Sequence, residues 1–329
     1  MSEQPTIVVT YPGFDPEDER TAGALRAAGL SIRCEPRLGE RTPQQVIGFM
    51  ADAAGGIVST DPFDASVFAA CPRLRVLARV GVGFDAIDLD AATAAGVAVA
   101  TTPGVNAATV ADHAVALLLA CCRRLLENDR MVRGGGWERG GDLNGRDLTG
   151  ATVAIVGLGA IGRAVAQRLR GFDVELLGVD LSDVDANGLR RCTLPEALAR
   201  ADVLSVHVPL SPATRGLVGA RELSELRPGA ILINTSRGGV VEEDALIAAL
   251  QDGRVAAAGL DVFEREPPAG SPLLDMENVV LSPHIAGISI DVQQTMLEMA
   301  VAAVLDVLAG RTPAGVVNPQ ALMASGEPA

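Results

Sequence analysis

Gly157-Leu158-Gly159-Ala160-Ile161-Gly162 follows an apolar run and leads into Arg163-Ala164-Val165-Ala166. Glycines at this spacing, between a strand and a helix, suit a dinucleotide phosphate. The first permits the tight turn, the second lets backbone N–H groups approach a pyrophosphate, and the third allows close helix packing at a terminus of partial positive charge. Asp180 closes the next predicted strand, where a carboxylate accepts hydrogen bonds from ribose hydroxyls; the alternative is that it merely ends a strand. Asp183 and Asp185 follow with no arginine among them, so a 2′-phosphate would meet like charge and NAD rather than NADP is expected.

Three further segments carry groups for proton and carboxylate chemistry. They are Asn234-Thr235-Ser236-Arg237-Gly238-Gly239, Asp261-Val262-Phe263-Glu264-Arg265-Glu266-Pro267 and Ser282-Pro283-His284-Ile285-Ala286-Gly287. Each lies past the carboxyl end of a predicted strand, where open α/β sheets bind ligands. Oxidising an alcohol beside a nicotinamide needs a proton acceptor, a cation for carboxylate and oxyanion, and a group that sets the pKa of the base. A carboxylate next to an imidazole favours the imidazolium and keeps a proton ready for the reverse reduction. The residues alone do not separate Glu264 from Glu266. His284 competes only with His207, in the predicted strand VLSVHV, and with His113, beside Asp112 in a long helix and read as a structural histidine.

The elements that must position these groups alternate. Apolar strands are predicted at 6–10, 56–59, 75–79 and 97–100, with helix-length segments at 17–29 and 42–54. A helical pattern spans 107–124, with Val110, Ala114, Leu117, Leu118 and Cys121 spaced by three or four. The stretch 130–150 holds seven glycines and four arginines, too glycine-rich for a packed element, and is read as an extended arm or loop. Strands resume at 152–157, 174–180, 203–208, 230–235, 256–261 and 279–282, with helices at 161–171, 195–201, 220–226, 242–252 and 290–309 before a polar tail, MASGEPA, expected to fray. Apolar strands alternating with helices imply parallel sheets covered on both faces, here two doubly wound α/β domains.

Composition narrows the partners. With 27 Lys+Arg against 41 Asp+Glu, the net charge of −14 argues against nucleic acid and anionic membrane, which need clustered cations. A small anion needs only a local basic site. The longest uncharged stretch, 91–111, contains Gly96, Pro103, Gly104 and Asn106 and is no membrane span. Cys34, Cys71, Cys121, Cys122 and Cys192 form no CxxC pair and no zinc-type spacing; they are expected to be buried small apolar residues in a reducing setting, with no metal. The N-terminus runs into a strand with no basic and apolar leader before it, which predicts a cytoplasmic protein.

The glycine turn, N-T-x-R-G, D-V-F-x-x-E-P and P-H, in this order and preceded by a GVGxDxID stretch at 81–88, resemble the NAD-dependent D-2-hydroxyacid dehydrogenases over nearly the whole chain. The resemblance implies a discontinuous flavodoxin-like substrate domain, 1–102 and 289–329, and an inserted Rossmann NAD-binding domain, 103–288. It implies His284 as general acid/base, selects Glu266 as its partner, and gives Arg237 to the substrate's carboxylate and keto oxygen. Asp261 is implied to fix the nicotinamide carboxamide. Ala160, Ile161, His207, Pro209, Thr214, Thr235 and Ser236 join the glycines and Asp180 on the cofactor. Val82 and Gly83, whose loop amides form an anion-binding turn, join Asn106 and Arg79 on the substrate, in a cleft between the domains that closes to exclude water.

The phosphoglycerate dehydrogenase branch looks nearest, with Arg79, Arg133 and Arg139 as cations for a phosphorylated substrate. Glyoxylate or hydroxypyruvate reduction is the second enzyme reading. The chain's length leaves no room for a C-terminal regulatory domain, so serine feedback is not expected. Formate dehydrogenases carry glutamine where Glu266 stands. Some relatives are NAD-sensing corepressors, a third reading. The helix at 107–124 and the arm after it are implied to build a homodimer.

Overall fold

The fold is that of a computed structural model, which describes residues 4–182 and 188–324. Asp183, Asp185 and the end of the polar tail lie outside them. The chain divides into two compact units, Met1–Asn106 with Ser289–Ala329, and Ala107–Ile288.

The first unit is built on five parallel strands, β1 (Thr6–Val9), β2 (Ser31–Cys34), β3 (Gly55–Val58), β4 (Val76–Arg79) and β5 (Ala98–Ala100), in the order β2-β1-β3-β4-β5. Both parities of the inner strands are apolar because both faces are covered. Ile7, Val9, Ile57, Val76 and Ala78 pack against Leu297, Val301 and Val304 of the helix Ile290–Leu308. Val8, Val58, Leu77 and Val99 meet Val46 and Met50 of the helix Pro43–Met50 and Val67 and Phe68 of the helix Ala65–Ala70. Thr42 starts its helix through a reciprocal pair: its hydroxyl accepts from the Gln45 amide, and the Gln45 side chain accepts from the Thr42 amide.

The second unit carries seven parallel strands, β6 (Thr152–Val156), β7 (Glu175–Val179), β8 (Arg190–Arg191), β9 (Val203–Val206), β10 (Ala230–Asn234), β11 (Val255–Leu260) and β12 (Val279–Leu281), in the order β12-β11-β10-β9-β6-β7-β8. Val153, Ile155, Ile231 and Ile233 face the helices Ala107–Arg123 and Ala160–Leu169. Ala154, Val156, Leu204 and Leu232 face Leu198, Leu223, Leu246 and Leu250 on the other side. The winding reverses between β6 and β9, the switch point at which such sheets open a crevice for ligands.

Three expectations are revised. The edge strands β2 and β8 lacked an apolar signature, because an edge strand is half exposed and needs no continuous apolar run. The glycine-rich stretch begins inside a helix, Leu125–Arg133, separated from the preceding one where Arg124 turns left-handed at φ 48°. Cys34 is exposed at the end of β2 instead of buried, whereas burial pushes the Cys121 thiol up to about 12 and the Cys122 thiol up to about 11.

Candidate active site

The glycine turn sits at the switch point of the second sheet. Gly157 adopts φ +96°, and a Cβ there would approach the His207 carbonyl oxygen to 2.6 Å; a Cβ on Gly162 would approach the Gly157 carbonyl oxygen to 1.9 Å. Both glycines are therefore required by backbone packing. The helix Ala160–Leu169 opens at Gly159 with no side-chain cap, and nothing lies within 4 Å of a Cβ placed on Gly159. Asp180 accepts from the amides of Leu158 at 2.7 Å and Ser182 at 2.8 Å. Burial pushes its carboxyl up, but those bonds and the charges of Arg191 and Arg163 outweigh it, and the group stays below its ordinary value. The arginine-free surroundings read from 180–185 are thus corrected by the fold, which returns Arg163 and Arg191 to this carboxylate.

His207 follows β9. Its Nε2 and the Ser205 hydroxyl are 2.8 Å apart, its Nδ1 is buried with no partner among the described residues, and burial pushes its imidazole down to about 4. It is held neutral and unsuited to delivering protons near neutrality. Thr214 caps its own loop, donating to the Pro209 carbonyl at 2.5 Å and accepting from the Ser211 amide at 2.8 Å.

Glu266 and His284 come together. Nδ1–H of His284 donates to Oε2 of Glu266 at 2.7 Å, which leaves Nε2 as the nitrogen available to exchange a proton. Glu264 points elsewhere: it accepts from the Glu243 amide at 3.1 Å, so the ambiguity between the two carboxylates is resolved by geometry. Burial pushes the Glu266 carboxyl up, yet the hydrogen bond and charge of His284, the Phe263 amide and the Arg237 charge together hold it below its ordinary value.

Arg237 begins its loop in extended conformation and donates through Nη1 to the Ser236 carbonyl at 2.7 Å. Asn234, at the end of β10 and buried, ties the turn together. Its Oδ1 accepts from the Ser236 amide at 3.0 Å and the Ser236 hydroxyl at 2.8 Å, and its Nδ2 donates to the Arg237 carbonyl at 3.0 Å. A Cβ on Gly238 would lie 1.9 Å from the Phe263 carbonyl carbon, so only glycine lets the arginine loop press against the Glu266 loop. Asn234 was missing from the sequence-based set, although its place at the head of N-T-x-R-G was the signal for it.

His284 itself has φ 55°, a left-handed conformation costly to a residue with a Cβ unless its surroundings enforce it. Asp261, 1% exposed, enforces it: its carboxylate accepts from the Ile285 amide at 2.9 Å, the Ala286 amide at 2.8 Å and the Ser282 hydroxyl at 2.6 Å. Three donors of the protein's own chain hold this carboxylate, two on Oδ1 and one on Oδ2, which leaves an acceptor site for a further donor such as a carboxamide.

In the first unit, Arg79, Val82 and Gly83 lie at and just after the end of β4. Arg79 donates to the Val80 carbonyl at 2.7 Å, and its guanidinium covers Gly81, which takes φ +139°. The Thr102 amide pins the Gly81 carbonyl at 2.9 Å. Asn106 closes this unit's first segment with its Oδ1 buried and unpartnered among the described residues. Of the other cations read for a phosphate, Arg133 is paired with Asp129 at 2.7 Å.

Residues 115–286 match the family model "D-isomer specific 2-hydroxyacid dehydrogenase, NAD binding domain". The chain belongs to the D-2-hydroxyacid dehydrogenases. It is 44% identical over 267 residues to a glyoxylate reductase of Korarchaeum cryptofilum, covering 79% of this chain and 80% of that protein. A D-3-phosphoglycerate dehydrogenase of Mycobacterium leprae is 40% identical over 264 residues, covering 79% of this chain but 50% of that longer protein. The crystal structure of an NADPH-dependent glyoxylate/hydroxypyruvate reductase from Sinorhizobium meliloti, in complex with NADP and malonate, superposes with TM-score 0.85 at 34% identity, over 97% of this chain and 98% of that one.

This D-2-hydroxyacid dehydrogenase therefore has an NAD-binding domain in its second unit, and its residues fit the cofactor. The uncapped helix start and the open space around a Cβ on Gly159 leave room for a phosphate. The Thr235 hydroxyl and His207 Nδ1 are buried and without partners among the described residues, so a bound cofactor would satisfy them.

Proposed function

We propose that His284 is the general acid/base of this oxidoreductase, that Glu266 orients it, and that Arg237 binds the carboxylate and keto oxygen of a small 2-keto acid. The 2.7 Å bond between His284 and Glu266 carries the reading. NAD(H), when bound, would supply or take up the hydride at the carbon bearing the oxygen. In reduction the His284 imidazolium gives its proton to the oxygen as that atom gains charge; in oxidation the neutral imidazole removes the hydroxyl proton. The Arg237 guanidinium stabilises the developing oxyanion. Gly157, Gly159, Ala160, Ile161 and Gly162 would hold the pyrophosphate, Asp180 the adenosine ribose, and His207, Pro209, Thr214, Thr235 and Ser236 the rest of the cofactor. The first unit, as substrate domain, contributes Arg79, Val82, Gly83 and Asn106.

The substrate read first is a small unphosphorylated acid of the glyoxylate or hydroxypyruvate class. The similarity to a glyoxylate reductase over most of that protein's length favours it, as does the pairing of Arg133 with Asp129. A phosphorylated three-carbon acid is the second reading, favoured by Arg79 at the mouth of β4. NADH oxidation with glyoxylate, hydroxypyruvate, pyruvate, 3-phosphohydroxypyruvate and bulkier keto acids separates them. Fastest turnover of either of the first two supports the first reading, and of the phosphorylated acid the second. No turnover with any acid favours an NAD-sensing binding protein.

NAD is preferred to NADP in this reading because the ionised Asp180 would face a 2′-phosphate. Asp180→Ala is expected to narrow the NADH-to-NADPH ratio of kcat/KM by roughly 10- to 100-fold, the worth of a hydrogen bond to a charged group. An unchanged ratio in paired kinetics removes Asp180 from that role.

A homodimer through the helix Ala107–Arg123 and the segment after it, including the helix Leu125–Arg133 and the arm, is supported by the exposure of Leu125, Leu126, Val132 and Trp137, the last 78% exposed. Among the described residues no helix is long and apolar enough to cross a membrane. A cytoplasmic setting is supported by five free cysteines.

A further inference from the structure

We infer that His113, through Ser282 and Asp261, is a positioning residue for His284. His113 lies on the helix Ala107–Arg123, and its Nε2 is 2.8 Å from the Ser282 hydroxyl. That hydroxyl has one proton and lies 2.6 Å from Oδ1 of Asp261. An ionised carboxylate only accepts, so the proton of Ser282 goes to Asp261, and the hydroxyl oxygen accepts from His113. His113 thereby carries a proton on Nε2, and the direction of every hydrogen bond in the chain follows.

The chain ends on backbone. Asp261 Oδ1 also accepts from the Ile285 amide and Oδ2 from the Ala286 amide, the two amides directly after His284. The Asp261 carbonyl accepts from the His284 amide itself at 2.8 Å. These bonds hold the left-handed turn that aims the imidazole, with Glu266 fixing the ring from the other side. His113 fixes the rotation of the Ser282 hydroxyl, which would otherwise be free to leave Asp261, and it places an imidazole edge 3.7 Å from the buried Asp261 Oδ1. A side chain that reads as a helix-packing histidine therefore sets the pose of the acid/base from a distant part of the chain.

This inference rests on the role proposed for His284. The test compares His113→Leu, which removes the donor, with His113→Gln, whose amide can still donate to Ser282, and with Ser282→Ala. Leu is expected to lower kcat for keto-acid reduction by about 10-fold, the scale of losses when a supporting hydrogen bond is removed behind a site residue, with NADH affinity within about 2-fold. Gln is expected to restore most of that loss. The double variant His113→Leu/Ser282→Ala is expected to be no worse than the poorer single variant, because both break one chain. In the wild-type protein, long-range ¹⁵N–¹H correlation is expected to show His113 protonated on Nε2. Wild-type kcat in His113→Leu, equal losses in Leu and Gln accompanied by equal falls in Tm, or an Nδ1–H tautomer overturns the inference. A wild-type kcat in His284→Asn would overturn the acid/base reading beneath it, whereas loss in His284→Asn with none in His113→Leu overturns the positioning role alone.

Discussion

Replacing His284 with Asn is expected to lower kcat for keto-acid reduction by about 10³-fold, within the range that a positioned general acid supplies. Asparagine keeps a polar group of similar reach, and an amide that hydrogen-bonds readily, but it does not carry a titrating proton. The residue is also among the least costly non-glycine choices at φ 55°, so the turn at His284 survives the exchange. NADH affinity is expected to hold, because the glycine turn and Asp180 follow β6 and β7, while His284 follows β12. Stopped-flow hydride transfer together with NADH titration measures the two effects separately. A kcat near wild type would remove His284 from the role, and a parallel loss of NADH binding would mean that the variant had disturbed the fold instead.

The second large effect is expected at Arg237. Arg237→Lys keeps the charge but exchanges a planar fork of donors for a point charge, and kcat/KM is expected to fall by about 100-fold, with the fall divided between KM and kcat. The loss in KM reports the substrate carboxylate, and the loss in kcat the oxyanion that forms only in the transition state. Lysine also lacks the arginine's reach to the Ser236 carbonyl, which at 2.7 Å anchors the guanidinium. Because the Arg237 charge helps hold the Glu266 carboxyl down, removing it altogether in Arg237→Gln would in addition loosen the partner of His284. Steady-state kinetics over a range of keto-acid concentrations decides the matter, and unchanged kcat/KM in Arg237→Lys would take the residue out of substrate binding.

These two residues were legible before folding because each sits in a short local pattern after an apolar strand. His113 was legible only as a helical histidine next to Asp112. Its partner, Ser282, is 169 residues away, and Asp112 pairs with Arg168 instead. Asp180 illustrates the same limit. The acidic end of β7 was plain, but Arg163 from the preceding helix and Arg191 from an edge strand reach it only through the fold. The edge strands escaped notice for a different reason: Ser31–Cys34 and Arg190–Arg191 are partly or wholly exposed, so hydrophobic patterning had nothing to mark.

By itself the sequence determined the class of fold, the phosphate turn and the three segments bearing Arg237, Glu266 and His284. Buried parallel strands must be apolar on both faces, and a glycine is forced wherever backbone meets backbone. Glu266 was singled out in the sequence only by the family resemblance, and the fold pairs it with the histidine; tertiary structure alone decided that Asp261 braces the loop of His284 and that Gly238 presses the arginine loop against Phe263. The reason is one of range. Strand and turn patterns are written over a few adjacent residues, whereas a hydrogen bond of 2.7 Å between side chains on separate loops exists only once the sheet has set those loops side by side.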